Sequence, residues 1–140
     1  MKVYLTRRYP FSASHRLHNA ALSDAVNRET YGKCNNPHGH GHNYFLEVTV
    51  SGPLAPETGM VCDLEALDST ITGEILNRFD HQNLNQLQDF GAIVPTTENL
   101  TIRIHQILRQ TPLPAHLESI RVEETANNSF EFAGIGQPRR

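Results

Sequence analysis

Residues 40–51, HGHNYFLEVTVS, give the clearest strand pattern in the chain, because their apolar and polar side chains alternate almost without a break. Successive side chains of a strand point to opposite faces, so a period of two predicts a β-strand that buries one face. The apolar side chains recur at every second position: Tyr44, Leu46, Val48 and Val50.

Three further strands are predicted around this one. Residues 2–14 alternate in the same way and contain tyrosine and threonine, a composition typical of strands. Residues 117–125 alternate again, and the Asn127-Asn128 pair is a turn signal after which residues 129–132 return as a short strand. The four segments therefore form two hairpins, one near each end of the chain.

Two helices are predicted between the hairpins. Apolar residues recur every three or four positions across residues 63–79, and Asp63 is a natural N-cap. The second helix follows PTTEN (95–99), with Thr96 or Thr97 as its cap, and ends before two prolines. Both helices carry an apolar stripe that can cover one face of a sheet.

The order strand, strand, helix, helix, strand, strand predicts a single α+β domain over residues 1–140. We expect an antiparallel sheet with two helices packed on one face. The polar residues 18–33 are typical of a long functional connection, with one helical turn near Ser23. The C-terminal residues 133–140 are expected to be frayed.

Composition narrows the class of protein. The chain has 140 residues, of which 38% are hydrophobic and 19% charged, as is ordinary for a globular domain. No apolar run approaches the length of a membrane span, and no secretory signal is visible at the N-terminus. Two cysteines are too few for a disulfide framework, which predicts free thiols and a cytoplasmic location.

Charge is distributed unevenly along the sequence. Residues 1–46 carry six Lys or Arg and two acids, a charge of +4, so the remainder carries −7. The overall charge of −3 argues against general nucleic-acid binding. A basic N-terminal third suits a small anionic substrate, although a solvated surface of uneven charge fits the same count.

The histidines at the start of the central strand predict a metal site. In an extended segment His40 and His42 share one face, about 6.6 Å apart at Cα, so both rings can reach one ion. A third ligand must come from elsewhere, and His15, near the end of the first strand, competes with His18 for that place. Three histidines with an open position are typical of catalytic zinc, whereas Cys34 as a fourth ligand would close the site.

Six segments of the sequence stand out together: FSASHRL (11–17), CNNPHGHGHNY (34–44), GMVCDL (59–64), DHQNLN (80–85), PTTEN (95–99) and EETANN (123–128). In the same order and over nearly the whole chain, they resemble the 6-pyruvoyl-tetrahydropterin synthase and 6-carboxy-tetrahydropterin synthase family. The resemblance implies the tunnelling fold, a four-stranded antiparallel sheet with two helices. It also implies a barrel-forming homohexamer of two trimers with active sites at subunit interfaces.

The resemblance implies a role for each matching residue. His15, His40 and His42 become the zinc ligands, and Cys34 becomes the proton-transferring thiol. Asp80 and His81 become the partners that tune the proton transfer by Cys34. Glu124 becomes the acid that anchors the pterin, and Thr97 lines the pocket. Without the resemblance, Asp80 and His81 could simply close the first helix.

The basic N-terminal third adds two candidate phosphate contacts, Arg16 and Lys33, which follow from the charge asymmetry. His38 is not counted as a ligand, because about 13 Å separates it from His42 in an extended chain. Glu124 shares the even positions of Ile120 and Val122, so its carboxylate is expected on the apolar face. Buried acids are rare unless they are paired.

The implied activity is zinc-dependent conversion of 7,8-dihydroneopterin triphosphate to 6-pyruvoyl-tetrahydropterin with loss of triphosphate, a lyase reaction. One alternative is 6-carboxy-tetrahydropterin synthase of queuosine biosynthesis, and another is a non-catalytic zinc- or pterin-binding relative. The carboxy branch typically has three residues between its cysteine and its H-G-H motif, whereas five separate Cys34 from His40 here. The pyruvoyl reaction is therefore the favoured interpretation.

Overall fold

The central sheet has five strands in the order β3-β1-β2-β4-β5. The computed structural model describes residues 1–136, so four residues of the predicted frayed tail lie outside the described part. All neighbouring strands are antiparallel except β3, which runs parallel to β1. The strands are β1 Val3–His15, β2 His40–Gly52, β3 Gln82–Asn83, β4 His116–Thr125 and β5 Asn128–Phe132.

The four predicted strands are confirmed, and β3 is an addition that makes the sheet mixed. Its two residues are too few to show a periodic pattern in sequence. Polar contacts of the preceding residues hold it against β1: Asp80 Oδ1 accepts the Ser12 N–H at 2.8 Å, and the His81 N–H donates to Ser12 O at 2.6 Å. This edge strand fixes the position of the Asp80–His81 pair.

Both predicted helices form, with caps that the structure identifies. Helix α2 (Leu64–Ile71) is capped by Asp63 and continues through a π-helical turn (Thr72–Leu76) into α3 (Asn77–Phe79). Helix α4 (Thr97–Arg109) is capped by Thr96, whose hydroxyl accepts the Asn99 N–H at 3.1 Å. Thr97 is therefore free to use its side chain elsewhere.

The segment 18–33 is more ordered than its polar sequence predicts. It contains an eight-residue helix, α1 (Asp24–Tyr31), capped by Ser23 and followed by a 3₁₀ turn (Gly32–Asn35). The fully buried Asn27 holds it, because its amide donates to Asn19 O and accepts the Asn19 N–H, at 2.9 and 2.8 Å. Because polar contacts of Asn27 hold α1, the helix could not be recognised from a periodic pattern of hydrophobic residues.

The core lies between one face of the sheet and the helices. Inward side chains of β1, β2 and β4 pack against the apolar stripes of α2, α3 and α4, which include Leu67, Ile71, Phe79, Leu100 and Ile104. The opposite face of the sheet carries ion pairs such as Arg8–Glu47 and Arg121–Glu47. Across residues 1–136, none of the helices is long and apolar enough to cross a membrane.

Candidate functional site

The pairing of β1 with β2 brings three histidines together. His15 lies directly opposite His40, and Ala13 lies opposite His42, so all three imidazoles share the buried face of the sheet. One ring nitrogen from each lies within 4.8 Å of the others, and the ring centroids are 4.7 to 5.1 Å apart. Such a group can hold a single divalent ion.

The buried histidines present free lone pairs. Nδ1 of His15 donates to the carbonyl oxygen of Pro95 at 2.8 Å, so Nε2 is left unprotonated. The Nε2 atoms of His15 and His42 are both buried and have no hydrogen-bond partner within the described part of the chain. Burial is the main cause that lowers the pKa of each, which keeps the rings neutral. Neutral imidazoles with unsatisfied nitrogens fit the donor set that zinc prefers.

Gly39 allows the histidine segment to approach β1. Its φ is +71°, and a Cβ there would lie 3.0 Å from the backbone oxygen of His15. Both the dihedral angle and the close contact disfavour any other residue. The glycine therefore sets the approach of His40 to His15.

His18, the competing third ligand, is turned away from the cluster. Its Nδ1 lies 2.9 Å from the amide nitrogen of Asn35. The same amide donates to Leu17 O at 2.8 Å, and the Leu17 N–H donates to Cys34 O at 2.8 Å. These bonds pin the loop that carries Cys34 to the end of β1.

Cys34 is outside the group of three mutually close ligand atoms. It instead lines a cavity of about 800 Å³ together with His40. Burial raises the pKa of its thiol, and the negative charge of Glu124 adds to the rise. The geometry thus favours an open three-histidine site with a neighbouring thiol over a closed four-ligand site.

Three cations line the same cavity: Arg16, Arg28 and Lys33. The side chain of Arg16 donates to a backbone oxygen, that of Asn35, at 3.2 Å. No ion pair joins any of the three to a carboxylate within residues 1–136, although Asp24 lines the cavity too. Six other cations are paired with acids: Lys2, Arg7, Arg8, Arg78, Arg103 and Arg121. The structure adds Arg28 to the two cations named from the sequence.

Asn85 is a further site residue that sequence reasoning missed. Its amide oxygen accepts the Arg16 N–H at 2.7 Å, and its amide nitrogen donates to Arg16 O at 2.8 Å. Both bonds fix the backbone next to His15. Asn85 is the last residue of the DHQNLN segment (80–85), and its position in that segment is the sequence feature that could have identified it.

Glu124 lies on the buried side of the sheet, as the even positions of β4 predict. Its side chain is 17% exposed, and Oε2 lies 3.9 Å from His42 Nε2. It accepts hydrogen bonds from the Thr97 hydroxyl and the Asn128 amide. Burial raises the pKa of Glu124, but these two bonds, together with the charges of His42 and His15, outweigh it and the net pKa is lowered. An ionised carboxylate therefore stands beside the histidines.

The Asp80–His81 pair lies apart from Cys34 in this chain. His81 Nδ1 is 3.1 Å from Asp80 Oδ2, and the His81 side chain is 83% exposed. His81 also has a φ of +61°, unusual for a residue with a Cβ. Among the described residues, no hydrogen bond or ion pair links it to Cys34.

Comparison with known proteins gives a consistent result. The family profile described as "6-pyruvoyl tetrahydropterin synthase" matches residues 4–134. A Drosophila melanogaster protein named 6-pyruvoyl tetrahydrobiopterin synthase is 47% identical over 133 residues, or 94% of this chain and 79% of that protein. The Homo sapiens protein of the same name is 43% identical over 131 residues, or 93% of this chain and 90% of that one.

A solved structure supports the same relationship. The Caenorhabditis elegans 6-pyruvoyl tetrahydropterin synthase superimposes with a TM-score of 0.90 at 41% identity, covering 96% of each chain. The match includes the segments that carry the histidines, Cys34 and Glu124, since it spans almost the whole sequence. The chain therefore belongs to the 6-pyruvoyl tetrahydropterin synthase family.

Proposed function

We propose that this chain is a zinc-dependent lyase that converts 7,8-dihydroneopterin triphosphate to 6-pyruvoyl-tetrahydropterin and triphosphate. The observation that carries the proposal is the convergence of three imidazoles beside a cavity that holds a thiol and three cations that have no carboxylate partner within residues 1–136. Family membership supports the choice of reaction. We take residues 1–140 as one pterin-binding domain.

His15, His40 and His42 would hold the metal. The two buried Nε2 atoms without partners are the structural reason, because an unpaired buried nitrogen is costly unless something binds it. Bound there, a zinc ion would polarise the side-chain oxygens of the substrate as a Lewis acid and lower the pKa of the nearby thiol. The Pro95 carbonyl fixes the tautomer of His15 for this purpose.

The remaining residues bind and orient the substrate. A pterin offers adjacent N–H donors in one plane, and the ionised Glu124 can accept two of them at once. Thr97, already bonded to Glu124, holds that carboxylate in place. Arg16 and Lys33, with Arg28, form the proposed binding site of the triphosphate.

Cys34 is the proposed base. Its thiolate would remove the proton from the side-chain carbon next to the ring, and a proton delivered to the ring would then leave a ketone on that carbon and a reduced ring. Loss of the proton from the next side-chain carbon would give an enol that expels the triphosphate from the terminal carbon. The oxidation of the side chain and the reduction of the ring balance within one molecule, so no external redox cofactor is needed. Asp80 orients the ring of His81, so that His81 can exchange protons with the reacting groups.

Because His81 is exposed and has no bond to Cys34 within the described chain, we propose that the two meet across a subunit interface. A homohexamer, a dimer of trimers, would supply such interfaces. This arrangement explains why an ion-paired histidine at the sheet edge faces solvent in a single chain. Both cysteines are free thiols, which suits action in the cytoplasm.

A complementation experiment tests the shared site. Cys34→Ala and His81→Ala proteins, each inactive alone, are mixed, dissociated and reassembled. We expect about a quarter of wild-type turnover, because half of the subunits supply each intact residue and assembly is random. Mixing Cys34→Ala with itself is the control. If the mixture stays inactive while its oligomers match the wild type in size, the two residues act within one chain.

A second prediction concerns the cavity cations. The Arg16→Ala/Lys33→Ala double variant should raise the KM for the triphosphate substrate by about a hundredfold or more, because each of the two lost contacts to a charged group costs roughly 1.5 kcal/mol, or about tenfold. Arg121→Ala, a cation on the opposite sheet face, is the matched control. The dissociation constant for dihydroneopterin without phosphates should not change. An unchanged KM for the triphosphate would contradict this assignment.

Product analysis tests the reaction itself. The zinc-loaded protein is incubated with 7,8-dihydroneopterin triphosphate, and the products are separated and identified by mass. Inorganic triphosphate with a pyruvoyl pterin supports the proposal. Carboxypterin with acetaldehyde would instead assign the 6-carboxy-tetrahydropterin synthase reaction, and tight binding without turnover would assign a binding protein.

A further inference from the structure

Tyr44 contains a buried hydroxyl that nothing in the proposed mechanism uses. The residue is fully buried, and its Oη has no hydrogen-bond partner. The other buried side-chain atoms without partners, among the described residues, are Nε2 of His15 and His42. The His42 and Tyr44 rings lie 5.5 Å apart, so all three atoms belong to one region.

Packing alone does not explain the hydroxyl. The Tyr44 ring stacks on Phe11 at a centroid distance of 5.0 Å, and a phenylalanine would make the same contact. The next inward positions of β2, Leu46 and Val48, are apolar. An unpaired buried hydroxyl destabilises a folded chain relative to its apolar equivalent. The oxygen at Tyr44 therefore points to a function that offsets this cost.

The groups that act on this hydroxyl are those of the proposed pterin anchor. A tyrosine hydroxyl can donate one hydrogen bond. The Thr97 side chain lies beside the Tyr44 hydroxyl, although the two do not form a hydrogen bond in the unliganded chain. Thr97 donates its own proton to Glu124, which leaves its oxygen free to accept.

We propose that Tyr44 is a positioning residue for the pterin anchor: in the ligand-bound protein its hydroxyl donates to Thr97 Oγ1. That bond directs the Thr97 proton to Glu124 and leaves the outer lone pairs of the carboxylate for the N–H groups of the heterocycle. A protonated phenol is not among the usual zinc ligands, so the bond serves the ring and not the metal. The inference rests on the pterin-binding function proposed above.

The test is Tyr44→Phe, measured for stability and for binding of neopterin, an oxidised pterin without phosphates. We expect the dissociation constant for neopterin to rise about tenfold, as for one hydrogen bond in a charged network. The zinc affinity should stay unchanged. The free energy of unfolding without ligand should stay equal or increase, because an unpaired polar group is removed. A purely structural tyrosine would not separate stability from affinity in this way.

Two further variants complete the test. Tyr9→Phe removes another buried tyrosine hydroxyl, one that donates to Asp68 at 2.6 Å, and should lower stability without altering neopterin affinity. In the Tyr44→Phe background, Thr97→Val should weaken neopterin binding less than it does in the wild type. Both changes break the same proposed chain of hydrogen bonds, from Tyr44 through Thr97 to Glu124. Additive effects, or equal neopterin affinity in Tyr44→Phe and wild type, would overturn the role of Tyr44.

Measurements on the wild type distinguish a failure of the proposed reaction from a failure of the Tyr44 inference. Neopterin binding without turnover of the triphosphate substrate contradicts the proposed reaction and leaves the Tyr44 comparison valid. Reduced zinc affinity in Tyr44→Phe with unchanged neopterin binding would place the hydroxyl on the metal side and overturn the inference. Absence of neopterin binding by the wild type would contradict both proposals.

Discussion

Cys34→Ala should reduce turnover of 7,8-dihydroneopterin triphosphate by about 10²- to 10⁴-fold, the usual loss when a positioned base is removed. The thiol lines the cavity beside His40 and lies outside the three-histidine group, so its removal should leave metal binding intact. Neopterin affinity should also persist, because Glu124 and Thr97 are untouched. Single-turnover kinetics with a zinc-loaded variant measures the chemical step directly.

Cys62→Ala is the matched control for this experiment. Cys62 is the other free thiol and packs against the hydrophobic core. Its replacement should lower stability slightly and leave turnover at the wild-type rate. If Cys34→Ala retained more than about a tenth of wild-type turnover, Cys34 would not be the base that the mechanism requires.

His40→Ala should abolish both zinc binding and activity. Removing one of three ligands costs at least the roughly 10- to 100-fold in metal affinity that is typical of losing even an outer-sphere partner. Zinc content after dialysis, measured by elemental analysis, is the readout, and it does not depend on turnover. Since the ring of His40 lies at the cavity side of the site, the fold should survive its removal.

His38→Ala is the control for the metal experiment. It removes an exposed imidazole two residues earlier, in the loop before β2 and outside the group of mutually close histidines. Zinc content and turnover should match the wild type. Undiminished zinc affinity in His40→Ala would contradict the three-histidine site, and loss of zinc in His38→Ala would require a different ligand set.

The strands and their faces could be predicted because strand periodicity is local. Alternation from Tyr44 to Val50 is visible in a few consecutive residues, and the same period places His40 and His42 on one side. The burial of Glu124 follows from the same argument on β4. In each case the side-chain direction depends only on neighbours in the sequence.

The choice between His15 and His18 could not be made in that way. It depends on which residue of β1 lies opposite His40, and that register is set by pairing over the full length of both strands. Helix α1 was predicted only as a single turn near Ser23, and strand β3 was missed, for a related reason: Asn27 and Asp80 hold these elements by polar contacts that have no period. Arg28 entered the site only because α1 forms one wall of the cavity.

The sequence by itself determined the α+β class, the faces of the strands, the pair of histidines on β2 and the family resemblance. Only the tertiary structure placed His15 beside this pair, kept Cys34 outside the histidine cluster, exposed His81 and left the hydroxyl of Tyr44 without a partner among the described residues. The physical reason is that alternation along a strand is fixed by backbone geometry between adjacent residues. Distances between segments depend instead on strand register and packing, which the whole chain sets together.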